Sequence, residues 1–237
     1  MYRKFFKRLI DIVGSFFGLL LLSPLMIVTA IAIKIDSKGP AVFKTKRVGK
    51  NQKHFTFYKF RSMRTDAPKD IAPRLLKSED YITKVGKFIR KTSLDELPQL
   101  LCILKGDMSI VGPRPSGISE TDLIEARERY GANGVTPGLT GLAQISGRDI
   151  LASDVEEKAK VDGEYCKKIT FIGDMKIIFT TAKQVLFGKD VVEGKESIAI
   201  KAEQDSAENS VLLDNNDTAT KILGEQTEKT ESDDISA

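Results

Sequence analysis

The chain has 237 residues, enough for one domain with additions and a buried core. Its formal net charge of +4 hides a division: from Gly194 onward 11 acids face 4 lysines, leaving 33 basic and 22 acidic residues before it, +11 against −7. A single histidine excludes a His-rich metal centre, and Cys102 and Cys166, without a CxxC companion, read as buried reduced thiols, which turns attention to carboxylates, lysines and arginines.

The first element is a membrane segment. Ile12 to Ile33 carries no charge over 22 residues, long enough to span hydrocarbon. Ser23-Pro24 falls at its midpoint, where proline removes a backbone hydrogen bond and crowds the preceding turn. Arg3, Lys4, Lys7 and Arg8 precede the run, and Lys34, Lys38, Lys44, Lys46 and Arg47 follow it. The positive-inside rule would keep both ends in the cytoplasm. A helix broken at Ser23-Pro24 that enters and leaves by one leaflet satisfies both observations; a kinked spanning helix is the alternative.

Next, FKTKRVGKNQKHFTFYKFRSM predicts a hairpin, two strand-like runs around a Gly49-Lys50-Asn51 turn. In its second run Lys59 and Arg61 are two apart and share a face. Ser78 is expected to open a helix with Tyr81, Ile82, Val85, Phe88 and Ile89 on one side and Lys84, Lys87, Arg90 and Lys91 largely on the other. A basic amphipathic helix beside a membrane anchor suits the headgroup layer, and packing on the domain core is the plain alternative.

The stretch TSLDELPQLLCILKGDMSIVGPRP, residues 92 to 115, sets two adjacent acids, Asp95 and Glu96, before an arginine clamped by Pro113 and Pro115. Helix capping is the simple reading of the acids: Ser93 and Glu96 fit a capping box, or Asp95 is itself the N-cap. The functional reading starts from a carboxylate held ionised at a helix start, which suits a nucleophile or a metal ligand. Arg90 and the stiffly held Arg114 would match phosphate oxygens. Acids able to hold Mg²⁺, phosphate-reading cations and a one-leaflet anchor point to phosphoryl transfer onto a lipid.

Further on, VTPGLTGLAQISGRD forms turns and presents Arg148 on a loop. Ser153-Asp154-Val155-Glu156 is a second capping box, and Asp174 caps a last helix that Gly188 ends. The tail from Gly194, polar and without aromatics, cannot bury enough apolar surface to fold. The elements predict an α+β fold: a compact mixed domain over residues 37–193 with a small β-hairpin or sheet and amphipathic helices. A re-entrant membrane helix over 1–36 anchors it, and an acidic disordered tail covers 194–237.

Over roughly residues 1 to 190 the sequence resembles the bacterial sugar transferase family, the small monotopic phosphoglycosyl transferases. The resemblance rests on Ser23-Pro24, YKFRSM (58–63), RKTSLDELPQL (90–100), VGPRP (111–115), PGLTGLAQISGR (137–148) and Asp174-Met175-Lys176, where the family more often has Asp-Leu-Lys. It implies transfer of a sugar-1-phosphate from a UDP-sugar to polyprenol (undecaprenyl) phosphate with release of UMP, through a covalent aspartyl phospho-sugar. By that likeness Asp95 is the nucleophile and contacts Mg²⁺, and Glu96 assists the lipid phosphate. Lys59, Arg61, Arg90, Arg114 and Arg148 hold phosphates, with Asp174 orienting Arg148. The expected partners are the UDP-sugar, polyprenol phosphate and one leaflet of the bacterial inner membrane, with the domain on its cytoplasmic face. A homodimer is left open, and nucleic acid is not expected, since no reading helix or RNP motif is present. An inactive nucleotide-sugar-binding regulator of polysaccharide synthesis, the rival reading, would be expected to lack Asp95 or the arginines, and all are retained.

Overall fold

The computed structural model describes residues 2–67, 81–146 and 154–187. Helix α1 (Lys7–Asp36) follows one π-helical turn, Tyr2–Phe6. The expected break at Ser23-Pro24 is not an interruption, because the helix runs unbroken through it. The hydrogen bonding gives a reason. Proline 24 has no N–H to offer the carbonyl four residues back, that of Leu20, and the Ser23 hydroxyl donates to that same oxygen at 2.8 Å. The serine restores the bond that the proline removes.

Although α1 is long and apolar enough to cross a membrane, both its ends are tied to one body of structure. Near its start the Arg8 guanidinium donates to the carbonyls of Ile103 and Leu104, at 2.6 and 2.9 Å, and the Asp11 carboxylate accepts from Ile110 N and the Ser109 hydroxyl. At its far end Arg61 donates to the carbonyls of Ser37 and Lys38. Leu19 and Leu22 pack on the core between those ties, while Phe16, Phe17, Leu20, Leu21, Ile27, Val28 and Ile31 face outward.

The hairpin forms as expected. Strands β1 (Val42–Val48) and β2 (His54–Phe60) pair antiparallel around a 3₁₀ turn, Lys50–Gln52, in which Asn51 and Gln52 take positive φ. Phe55 and Phe57 on one face meet Leu100, Cys102, Ile103 and Met108 in the principal core. Each such buried aromatic contributes roughly 1.5–3 kcal/mol by removal from water. Phe60, on the opposite face, joins Ile33, Ala41 and Ile89 in a second cluster.

Helix α2 (Lys84–Lys91) begins later than its apolar pattern predicts. Thr83 is the N-cap, its hydroxyl accepting from Gly86 N at 3.0 Å, while Ile82 bridges Met63. Ser78 lies outside the described residues. Ile82 thus belongs to a short bridge with the chain after β2, where Tyr81 O also accepts from Arg64 N, and this overrides the helical spacing. Ile89 and Gly86 are buried, so the helix packs on the domain, while Phe88 is exposed.

A 3₁₀ segment, Leu94–Gln99, leads into α3 (Leu100–Lys105), and β3 (Ser109–Val111) pairs in parallel with β4 (Gly138–Thr140). Glycine is required at this junction: a Cβ on Gly138 would lie 2.1 Å from Gly112 N, so the two backbones could not approach. Helices α4 (Thr121–Arg129), α5 (Leu142–Ile145), α6 (Val155–Lys167) and α7 (Phe171–Phe187) complete the described chain. Asp154 caps α6 by accepting from Glu157 N, and Ser153 lies outside the described residues. Asp174 does not cap α7: it sits inside the first turn, and the Thr170 hydroxyl takes the capping part by accepting from Gly173 N. The predicted mixture of helices with small sheets is what forms; the tail from Gly194 and Gly188 lie outside the described residues.

Candidate active site

The Asp95-Glu96 pair is not a helix cap. Ser93 adopts the left-handed conformation (φ 57°, ψ 15°) and its side chain makes no capping bond. The acids ride on the 3₁₀ segment that follows, where Pro98 is tolerated because its missing N–H lies within the opening turns. Glu96 instead meets Arg114, whose Nη2 donates to its Oε1 at 2.6 Å. Asp95, half-buried, has no hydrogen bond or ion pair among the described residues.

Arg114 is aimed by its backbone. Before it, Pro113 O accepts from Gly138 N at 2.8 Å and Gly112 N donates to Thr140 O at 2.8 Å. After it, Ser116 O accepts from Val48 N at 3.0 Å. The loop is thus stitched to β4 on one side and to β1 on the other. Its guanidinium stays 39% exposed, against 20% for Glu96, so the pair borders open space rather than closing a core.

Lys59 comes from β2, one residue before its end, with Nζ 5.5 Å from the Phe43 ring centroid opposite. Its charge, with those of Arg90 and Arg114, acts on Asp95. Burial is the larger influence and lifts the Asp95 carboxyl above its ordinary range; Glu96 adds to the lift, and the three cations oppose it. That reverses the expectation of a low pKa, since a carboxylate that caps nothing loses the helix-start amides that would hold its proton off. Lys59 is pushed down by burial, with Asp95 opposing and Arg47, Arg90 and Arg114 adding to the shift. Arg114 is raised, first by Glu96.

Of the cations expected at this place, Lys59, Arg90 and Arg114 come together around the acids. Arg61 does not join them. It is buried, with Nη1 2.7 Å from Lys38 O and Nη2 2.6 Å from Ser37 O and 2.9 Å from Ser37 Oγ, closing the end of α1. β2 ends at Phe60, and the carbonyls of Ser37 and Lys38 at the end of α1 engage the Arg61 guanidinium away from Lys59. Asp174 is also engaged elsewhere: Lys7 Nζ lies 2.6 Å and the Tyr2 hydroxyl 2.7 Å from its Oδ2, and the Tyr165 hydroxyl 2.9 Å from its Oδ1. Arg148, its expected partner, lies outside the described residues.

Two residues of the neighbourhood escaped the sequence reading. Arg47 shares the strand face of Phe57 and Lys59, sits 5.6 Å over the Phe57 ring and lies 3.6 Å from Glu120. Hairpin register alone would have placed it there, because residues 43, 45 and 47 oppose 59, 57 and 55. Lys158, on α6, is pushed down by burial and by Arg127, with Glu120 and Asp162 opposing and Arg114 adding. Nothing in its local sequence signals this, because its position depends on how α6 packs against α4, where Arg127 and Asp162 form a buried pair.

No group of three or more His, Cys, Asp or Glu gathers as a metal cage among the described residues. Magnesium commonly uses one or two carboxylates and completes its shell with substrate phosphates and water, and the unpaired Asp95 carboxylate fits that mode. Taken together, a partly desolvated carboxylate without an ion pair among the described residues stands among three cations at an open edge. Such a set can attack or bind a phosphorus centre whose oxygens the cations neutralise.

Comparison with known proteins identifies the lineage. The profile of the bacterial sugar transferase family matches residues 2–188. The chain belongs to that family. It is 45% identical over 193 residues to a galactosyl transferase, CpsE, of Streptococcus agalactiae, covering 77% of this chain and 42% of that protein. It is 40% identical over 193 residues to an undecaprenyl-phosphate glucose phosphotransferase of Komagataeibacter xylinus, covering 78% of this chain and 36% of the relative. An exopolysaccharide production protein of Rhizobium leguminosarum is 38% identical over 196 residues, 79% of this chain and 94% of its own length. The first two relatives are more than twice as long as the part matched here.

Proposed function

We propose that this chain transfers a sugar-1-phosphate from a UDP-sugar to undecaprenyl phosphate, releasing UMP, as the first membrane step of a polysaccharide or glycan. The names of its relatives support the acceptor and the group transferred. The observation that carries the reading is Asp95: half-buried, its side chain without a hydrogen bond or ion pair among the described residues, and faced by Lys59, Arg90 and Arg114.

In the first half-reaction a carboxylate oxygen of Asp95 attacks the β-phosphorus of the donor. The bond from that phosphorus to the bridging oxygen breaks, and UMP departs with the electron pair. Lys59, Arg90 and Arg114 neutralise the phosphate oxygens as charge develops, with Arg148 joining them by family likeness. In the second, an oxygen of the lipid phosphate attacks the same phosphorus, and Asp95 returns as a free carboxylate. Glu96, anchored by Arg114, positions the acceptor phosphate. Asp95 would be the residue to hold Mg²⁺, which would supply charge neutralisation there.

The ties at the two ends of α1 support a membrane arrangement on one leaflet. A helix tied to the domain near Arg8 and again at Ser37 cannot carry its two ends to opposite faces while the domain stays on one. With basic residues at both ends, this supports a monotopic, one-leaflet placement with the domain in the cytoplasm.

The test is to incubate the protein with radiolabelled UDP-sugar and no lipid acceptor. A base-labile phospho-sugar should accumulate on the peptide that holds Asp95. Normal turnover without any adduct would favour direct attack by the lipid phosphate and leave Asp95 a metal ligand.

A further inference from the structure

Apart from the Asp95 site, the described residues line an open cleft where the chain enters α1. Arg3, Lys7, Arg8 and Lys50 line it, with Asp11 as the acid of the wall and Tyr165 among its polar groups. Two of the cations are fixed by the fold: Lys7 is paired with Asp174, and Arg8 is held on the carbonyls of Ile103 and Leu104. The other two, Arg3 and Lys50, are exposed, and their side chains have no hydrogen bond or ion pair among the described residues. Counting Asp174 behind Lys7, four positive charges face two negative ones. A cleft with two unspent cations and a fixed guanidinium is unstable against binding an anion.

Its location selects the anion. The cleft precedes the apolar run of α1, whose outward side chains begin at Leu9, with Phe5 and Phe6 exposed beside it. On the one-leaflet placement proposed above, that is the depth of phosphate headgroups. We infer that this cleft is a phosphate-binding site, distinct from the Asp95 site, that takes a phospholipid headgroup or a free phosphate ester through Arg3, Lys50 and Arg8.

The full chain in neutral detergent is titrated with phosphatidylglycerol and, separately, with sn-glycerol 3-phosphate, and bound molecules are counted by native mass spectrometry. The wild type should hold one phosphate-bearing molecule, and Arg3→Gln/Lys50→Gln should bind it at least tenfold more weakly. Lys176→Gln/Lys183→Gln, which removes equal charge from exposed positions on α7 outside the cleft, should bind like the wild type. Binding of the lipid alone assigns the site to a headgroup; binding of both assigns it to the phosphate itself. Equal affinity in all three proteins, equal weakening in both variants, or no binding of either probe overturns the inference. Adduct formation from labelled UDP-sugar is followed in the same samples. Its loss with headgroup binding intact would strike the proposed reaction and leave this site standing.

Discussion

Asp95 and Asp174 are the same residue type used in opposite ways. Asp174 is almost fully buried, and both its oxygens are occupied, by Tyr2 and Lys7 on one side and Tyr165 on the other. Asp95 is half-buried and bonded to nothing among the described residues, though Lys59, Arg90 and Arg114 act on it. A satisfied carboxylate stabilises, here by clasping the start of α1 to α6 and α7. An unsatisfied one in the field of cations costs stability and remains available to a ligand. The contrast between them is what separates framework from site.

The largest effect should come from Asp95→Asn. Adduct and lipid product should both vanish, with turnover falling by more than about 10⁴-fold, because an amide cannot form the acyl phosphate. Asp174→Ala should reverse the pattern: about 3–5 kcal/mol lost in denaturant unfolding, since Lys7 is left buried without its partner, with adduct formation per folded molecule nearly unchanged. If Asp174→Ala instead abolishes the adduct in well-folded protein, the division drawn here between the two acids fails.

A smaller, pH-dependent effect sharpens the comparison. The folded-state pKa of Asp95 is raised, so the stability it contributes is present below the unfolded pKa and is lost as pH rises through the folded value. Asp95→Asn should therefore match the wild type in acid and unfold at a higher temperature near neutral pH. A neutral-pH melting temperature below that of the wild type would refute this. Glu96→Gln removes the nearest negative charge and loosens Arg114. It should lower the acid-side midpoint of the rate profile and reduce lipid transfer about 10²-fold while adduct still forms. The smallest effect belongs to Ser23→Ala, which orphans the Leu20 carbonyl in an apolar setting and should cost about 1 kcal/mol, read as a lowered melting temperature.

Much of this was legible in the chain because it depends on local order. The apolar run of α1, the hairpin with its turn, and the amphipathic patterns reflect backbone preference and side-chain alternation, which act over a few residues. So does the gathering of Asp95, Glu96 and Arg90 within seven positions. Even Arg47 was within reach, through strand register.

Other properties were settled by partners far away in sequence. Whether Asp95 capped a helix depended on Ser93 taking a left-handed conformation, which released both acids from the backbone. Arg61 and Asp174 looked like site residues until the fold brought the end of α1 to one and Tyr2, Lys7 and Tyr165 to the other. Charge and spacing state what a side chain can bind. Only tertiary packing decides whether that capacity is spent inside the protein or left for a ligand, because desolvation and hydrogen-bond satisfaction depend on everything that surrounds the group.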